Sequence, residues 1–376
     1  MNKKMLVIPI IILVAIIIIS IISVILLNKG SLSPSASSGN SILETCNTLK
    51  YNSESAVNLV FFSPKEQAQE YTDFFLQTSP FNQNQDAFNF YYIDDYQPEC
   101  ELYKGIAILC YSKSLIKIAS SCPNDYVIVL QNKPGNIRSS AYMNVLSINT
   151  ALPLTVLTHE FGHTFANFAE EYTPASIPRG SKNCQSGCDK FDIKDSCSQG
   201  CSKTDYYRSI EAGVMRTLSS NEYGIFNQQI ITEKLNKETK MATAGKAISE
   251  INTGCQDKNY YLIEGLYNQA ENSINTIDKT IETGCIGMGG SGSFTYNLIL
   301  NDNSVIPGSE FNPEFIFTDG QLEEETIING ETFQSDKPFL LKIPVISNAK
   351  TLEIKKDAEK IAEINLNDIG ARPCLI

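Results

Sequence analysis

Histidine is almost absent from this chain: there are two, His159 and His163, in 376 residues. Imidazole chemistry, whether metal ligation or proton transfer, is therefore confined to one place. Basic charge is also short. Lys and Arg number 30 against 42 Asp and Glu, giving a net charge of −12 and a pI near 4.8. No basic stripe is available to track a phosphate backbone, which excludes nucleic acid as a partner. The same acidity gives no attraction to anionic lipid. No cysteine precedes Cys46, and no glutamate lies between Glu171 and Glu211.

The cysteine-free start of the chain holds its longest apolar run, residues 5–27, interrupted only by Pro9, Ser20 and Ser23. At ~1.5 Å per residue a helix there spans the ~30 Å hydrocarbon core of a bilayer. Lys3 and Lys4 precede the run and Lys29 follows it. Residues 1–29 are therefore expected to be a transmembrane signal-anchor, with the N-terminus cytoplasmic and the protein a single-pass resident of the cell membrane. Cleavage of a signal peptide, giving a secreted protein, is the alternative. Either topology places the remaining chain outside, where disulfides persist. The 11 cysteines are odd in number, so at least one is left over or pairs with another chain. Residues 30–45, rich in Ser, Gly and Pro, read as a flexible stalk.

Both histidines fall in the run Thr158-His159-Glu160-Phe161-Gly162-His163-Thr164-Phe165. On a helix, residues four apart project from one face, so the two imidazoles converge on one metal ion, Zn2+ by their chemistry. Glu160 is placed to reach a water on that ion rather than the ion itself, the position of a general base. A catalytic zinc takes three protein ligands and keeps a fourth position open. A straight helix cannot supply the third from Glu170, which would lie ~10 Å further along the axis. The helix must break, and Asn167 tolerates the left-handed conformation a break requires. Glu170 and Glu171 are then both candidate ligands. A carboxylate on a second helix about twenty residues downstream is ruled out by the gap to Glu211. Val156, Phe161, Phe165 and Phe168 give the helix its apolar stripe.

Residues 159–172 resemble the motif of the igalysin (immunoglobulin A peptidase) family of zinc metallopeptidases, H-E-F-G-H-S-F-x-x-L-x-D-E-Y. Thr164, Phe168 and Glu170 stand here for the family's Ser, Leu and Asp. Residues 207–216, which contain Met215-Arg216, and residues 57–62 and 88–91 are similar to other parts of the family. The likeness covers roughly residues 55–230. It implies an α/β (α+β) metzincin-like zinc peptidase domain, with Met215 as the Met-turn methionine beneath the metal. Counting past the turn as in metzincins favours Glu170 as third ligand, while the match to the family's Glu-Tyr pair favours Glu171. Ala166 and Asn167 occupy the place where the family often has Gly. The implied activity is that of an endopeptidase acting on extracellular protein or peptide substrates through a zinc-activated water. Tyr207 and Tyr223 are candidate oxyanion donors. Two rival readings remain: a catalytically inactive surface-binding protein on the same scaffold, and a zinc hydrolase of a non-peptide amide bond.

Cys184, Cys188, Cys197 and Cys201 are expected to form two disulfides that staple a loop, or else a second, structural zinc site. Strands are expected over 56–62, 88–93, 105–111, 126–130 and 143–148. Helices are expected over 112–119, from Pro153 onward, and over 64–77 behind a capping box of Ser63, Pro64 and Glu66. Leu266, Ala270, Ile274, Ile277 and Ile281 recur at three and four, marking a further helical face. Thr-Gly-Cys occurs at 253–255 and again at 283–285 and reads as two helix ends whose cysteines are too far apart to pair. Gly289-Gly290-Ser291-Gly292 reads as a linker, and alternation at 294–300, 352–354 and 361–366 as a β-sandwich. The expected order is thus anchor (1–29), stalk (30–45), peptidase domain (46–288, helical over about 225–285) and β-sandwich accessory domain (289–376). Nothing in the sequence bears on oligomeric state.

Overall fold

Strand-forming sequence dominates this computed structural model, which describes residues 46–191, 197–245, 258–287, 289–318, 331–332 and 338–369. Among the described residues strand outweighs helix about two to one. The first half runs β1 (Asn47–Lys50), β2 (Val57–Phe62), α1 (Lys65–Phe75), β3 (Phe88–Ile93), the hairpin β4–β5 (Glu101–Tyr103, Ala107–Leu109), α2 (Lys113–Ala119), β6 (Tyr126–Gln131), β7 (Ser140–Tyr142), β8 (Val145–Asn149) and α3 (Thr155–Ala166). After the hairpin β9–β10 (Ser198–Cys201, Lys203–Arg208) and helix α4 (Ile225–Gly245), every regular element among the described residues is a strand. It continues through β11 (Asn259–Asn268), β12 (Ser273–Thr283), β13 (Phe294–Leu300), β14 (Val305–Phe311) and β15 (Phe315–Thr318). It ends with β16 (Glu331–Thr332), β17 (Phe339–Pro344), β18 (Ala349–Lys356) and β19 (Glu359–Asn365).

The main sheet has the order β1-β3-β2-β6-β8-β7-β15-β16. Its centre, β3-β2-β6-β8, is parallel, and β1, β7, β15 and β16 add antiparallel at the two sides. Parallel strands are buried on both faces and read as continuous apolar runs, which is how β2 and β6 read. One face packs α1 and α3 through an aromatic core of Phe75, Phe81, Phe88, Tyr126, Phe161 and Phe165. Ring pairs there are mainly edge-to-face, Phe75–Phe161 at 5.1 Å among them. Val156 and Phe168 complete the stripe expected of α3. The opposite face packs α2 and a three-stranded sheet, β12-β11-β17. That sheet is sandwiched in turn. Tyr260, Leu262 and Leu340 face the main sheet, while Tyr261, Ile263 and Leu341 face the four-stranded sheet β14-β13-β18-β19. The period-two alternation of a strand lets one short sheet serve two cores.

A lysine is buried in this layer. Lys342 is 2% exposed, and its Nζ donates to Asn124 Oδ1 at 2.6 Å. Burial lowers its pKa from 10.5 to about 7, with the Asp125 carboxylate opposing. Between those values the unfolded chain holds one more proton than the native one. The cost of charging Lys342 is full below pH 7 and is relieved as pH rises, by up to about 1.4 kcal/mol per pH unit. Thermal melts between pH 7 and 9 are expected to show this upward slope in the wild type and its loss in Lys342→Met. Identical slopes in the two proteins would refute the assignment.

Several sequence expectations are corrected here. The metzincin-like α/β class does not hold: the described residues are mostly β, in several sheets. The helical reading over about 225–285 fails from β11 onward, where residues 259–283 form an antiparallel hairpin. Ala270 sits in its turn, where Asn268 Oδ1 accepts from the N–H groups of Ala270 and Glu271. Ile277 and Ile281 are exposed rather than lining a buried helical stripe. The segment's Thr, Ile and Tyr residues favour strand over helix, and that preference overrides the spacing. The capping box is not formed either, since Ser63 Oγ donates to Pro64 O and α1 has no side-chain cap. The Gly289-to-Gly292 stretch is packed: Gly289 N–H donates to Asp125 O, Gly290 N–H to Tyr126 Oη, and Ser291 Oγ to Thr164 O. The β-sandwich therefore begins at β11, before the expected linker, and lends β15 and β16 to the main sheet.

The expected anchor (1–29) and stalk (30–45) lie outside the described residues, as does the Thr-Gly-Cys repeat at 253–255. Among the described residues no helix is long and apolar enough to cross a membrane. The single-pass membrane placement, and the localisation built on it, are accordingly withdrawn.

Candidate metal centre

Helix α3 brings the two histidines to one face, and its end brings a carboxylate to them. Asn167 takes the left-handed conformation (φ 54°, ψ 36°), and Phe168 N–H bonds back to Gly162 O. The chain then reverses. Phe168 O accepts from His163 Nδ1 at 2.7 Å, and Val214 O accepts from His159 Nδ1 at 2.8 Å. A carbonyl only accepts, so both rings carry their proton on Nδ1 and turn Nε2 inward. The Nε2 atoms lie 3.1 Å apart. Glu170 reaches them from the fold-back, Oε1 at 3.1 Å from His163 Nε2 and Oε2 at 3.3 Å from His159 Nε2. The three side chains form a buried group able to hold a metal ion.

With both rings neutral, lone pairs point at lone pairs and at a carboxylate, an arrangement that calls for positive charge, from a proton or a metal ion. Bonds of ~2.0–2.1 Å in a tetrahedral zinc site put ligand atoms roughly 3.3 Å apart, the spacing found here. The electrostatics agree. Burial opposes charge on His159, but the Glu170 carboxylate, with Glu160, outweighs it and pushes the imidazole up to about 10. Burial favours protonation of Glu170, yet the two imidazoles hold it down to about 2. A proton on His159 meets part of the demand for positive charge; a divalent ion meets all of it. The donor set fits zinc.

Glu171 is not part of this group. Its Oε1 accepts from Asn227 Nδ2 at 2.8 Å and from Asn183 Nδ2 at 3.2 Å, and its N–H donates to Met215 O. Burial raises its carboxyl to about 7 despite those bonds. The structure therefore separates the two glutamates that the sequence left open. Met215 is buried against α3, its Sδ 2.7 Å from where a Cβ on Gly162 would stand. Only glycine admits the sulfur there. Tyr223 is fully buried and its hydroxyl donates to Thr158 O, so it is a core residue and not an oxyanion donor. Tyr207 is half-buried in β10, with its backbone bonded to Gln185.

The four cysteines form nested disulfides, Cys184–Cys201 and Cys188–Cys197. A second zinc on these residues is excluded by that pairing. The outer bridge, Cys184–Cys201, sits beside the fold-back. Asn183, next to Cys184, bonds both the N–H and the C=O of Ala169 at 2.8 Å. Ser202, next to Cys201, donates to Glu170 O at 2.7 Å. The stapled loop thus clamps the backbone of Ala169 and Glu170 from two sides. Sequence reasoning found the loop but missed Asn183, Ser202 and Asn227, whose side chains carry no spacing signal. Cys46–Cys122 and Cys100–Cys110 are also bonded, and Cys285 is disulfide-bonded as well.

All of the centre is covered. Exposure is 2% at His159, 0% at Glu160 and His163, and 1% at Glu170. The Phe317 ring of β15 stacks on His163, with centroids 4.3 Å apart and planes 17° from parallel. Known proteins add nothing to this picture: no family model matches the chain, and no curated protein matches it.

Proposed function

We propose that the chain is a zinc-dependent peptidase, with His159, His163 and Glu170 as the metal ligands and Glu160 as the general base. The observation that carries this reading is the inward-facing pair of Nε2 atoms, each ring fixed by a backbone carbonyl, around a carboxylate that the fold-back delivers. The resemblance of residues 159–172 to igalysins supports the peptide bond as the target. Bound zinc supplies Lewis acidity for a carbonyl oxygen and brings the pKa of a water toward ~7. The protein's own part is orientation and proton movement. Val214 O and Phe168 O lock the rings, the disulfide loop holds Glu170, and Met215 fills the space under Gly162. Glu160 accepts a proton from the attacking water at a carboxylate oxygen and delivers it to the leaving amine nitrogen.

The test is zinc content of the full chain purified under oxidising conditions, read beside hydrolysis of a mixed peptide library. One zinc per chain is expected, with hydrolysis lost to a chelator and restored by zinc. Zinc without hydrolysis of any peptide would favour a metal-stabilised binding protein; no zinc would end the reading.

A further inference from the structure

We propose that β15 is a self-bound stand-in for the substrate. An extended peptide takes its place on the edge of β7, an aromatic side chain lies where Phe317 lies, and the metal centre stays closed until β15 leaves. This rests on the peptidase reading above. With ligands and Glu160 at most 2% exposed, no polypeptide reaches them while the strand is in place.

β15 extends the sheet by pairing antiparallel with β7, Ile316 opposite Tyr142, Phe317 opposite Ala141 and Thr318 opposite Ser140. Removing it would leave the edge of β7 free beside α3. An open sheet edge is a general way to hold an extended peptide, its backbone giving affinity and its alternate side chains giving selectivity. The side chains of β15 divide accordingly. Phe315 and Phe317 point one way and form, with Ala141, an apolar cluster separate from the three large cores. Ile316 points the other way and is the strand's one side chain in the sandwich core. One face ends on the imidazole of a metal ligand. Tethering within one chain gives the strand an effective concentration in the mM range, enough to outcompete free peptide until it is displaced.

The wild type, Phe317→Ala and the milder Phe317→Leu are compared as full chains in two assays. One reads kcat/KM on a quenched fluorescent peptide; the other reads the rate at which a chelator extracts the zinc, which needs no turnover. Phe317→Ala is expected to raise both by at least about tenfold, as the open fraction rises, and Phe317→Leu by less. A synthetic peptide of residues 312–318 is expected to inhibit the alanine variant competitively, and its scrambled version not. Faster extraction without hydrolysis by any of the three sinks the peptidase reading and leaves β15 as the cover of a metal centre. Unchanged extraction and hydrolysis in folded variants overturn the stand-in, and a chain that binds no zinc overturns both. If the alanine variant does not fold, the leucine variant carries the same readings. Hydrogen exchange on the wild type gives a further one: amides of 316–318 that exchange as slowly as those of β6 count against a strand that leaves.

Discussion

Glu160→Gln is expected to lower peptide hydrolysis by about a thousandfold, within the range for loss of a general base, while one zinc per chain is retained. Glutamine keeps the shape and hydrogen-bonding reach of the side chain but cannot take up a proton. The position sits in α3 beside His159, and its carboxylate is one of the charges that favour positive charge on that ring. Removing it weakens the pull on a cation without deleting a ligand. The separation of effects is the content of the prediction, read as turnover on one side and metal analysis on the other. A variant that keeps turnover within tenfold of wild type would move the base elsewhere; a variant that loses zinc would make Glu160 a ligand.

The second large effect separates two neighbours. Glu170→Gln is expected to weaken zinc binding by more than about 100-fold, beyond the loss typical of an outer hydrogen bond. Without metal, it also removes the anion that both imidazoles face at 3.1 and 3.3 Å. Glu171→Gln is expected to leave zinc in place, because a glutamine oxygen can still accept from Asn227 and Asn183. Competitive titration against a zinc-binding dye measures both variants. The reverse ordering would make Glu171 the ligand and the observed fold-back a misleading guide to the bound state.

What the sequence disclosed follows from how local each signal is. Histidines four apart on a helix and an Asn that permits the left-handed turn are short-range facts, and α3 with its end follows from them. Strands β2, β3, β6 and β8 are apolar runs bounded by polar turns, and they stand where those runs lie. The choice between Glu170 and Glu171 was not legible, because it turns on Asn183, Asn227 and Met215 O, none of which a spacing rule could connect. β11 was misread because it is buried on both faces, so its Tyr260-to-Ile263 run has no period to betray a strand. The place of β15 was invisible for a different reason. Four residues carry no long-range address, and the contact that matters is with a helix more than a hundred positions earlier.

That long reach also orders events in time. Tyr142 Oη donates to Pro313 O, a contact spanning 171 positions, and the pairing of β7 with β15 is comparably distant. Closing such a loop costs about 2.5 kcal/mol more entropy than closing one of about ten residues, so it forms late. A chain growing from its N-terminus contains every residue of α3, the fold-back and the stapled loop before residue 315 exists. On the reading proposed above, His159, His163 and Glu170 can come together before anything can lie across them. On the same reading, metal entry and strand closure are separable steps, and the first need not wait for the second.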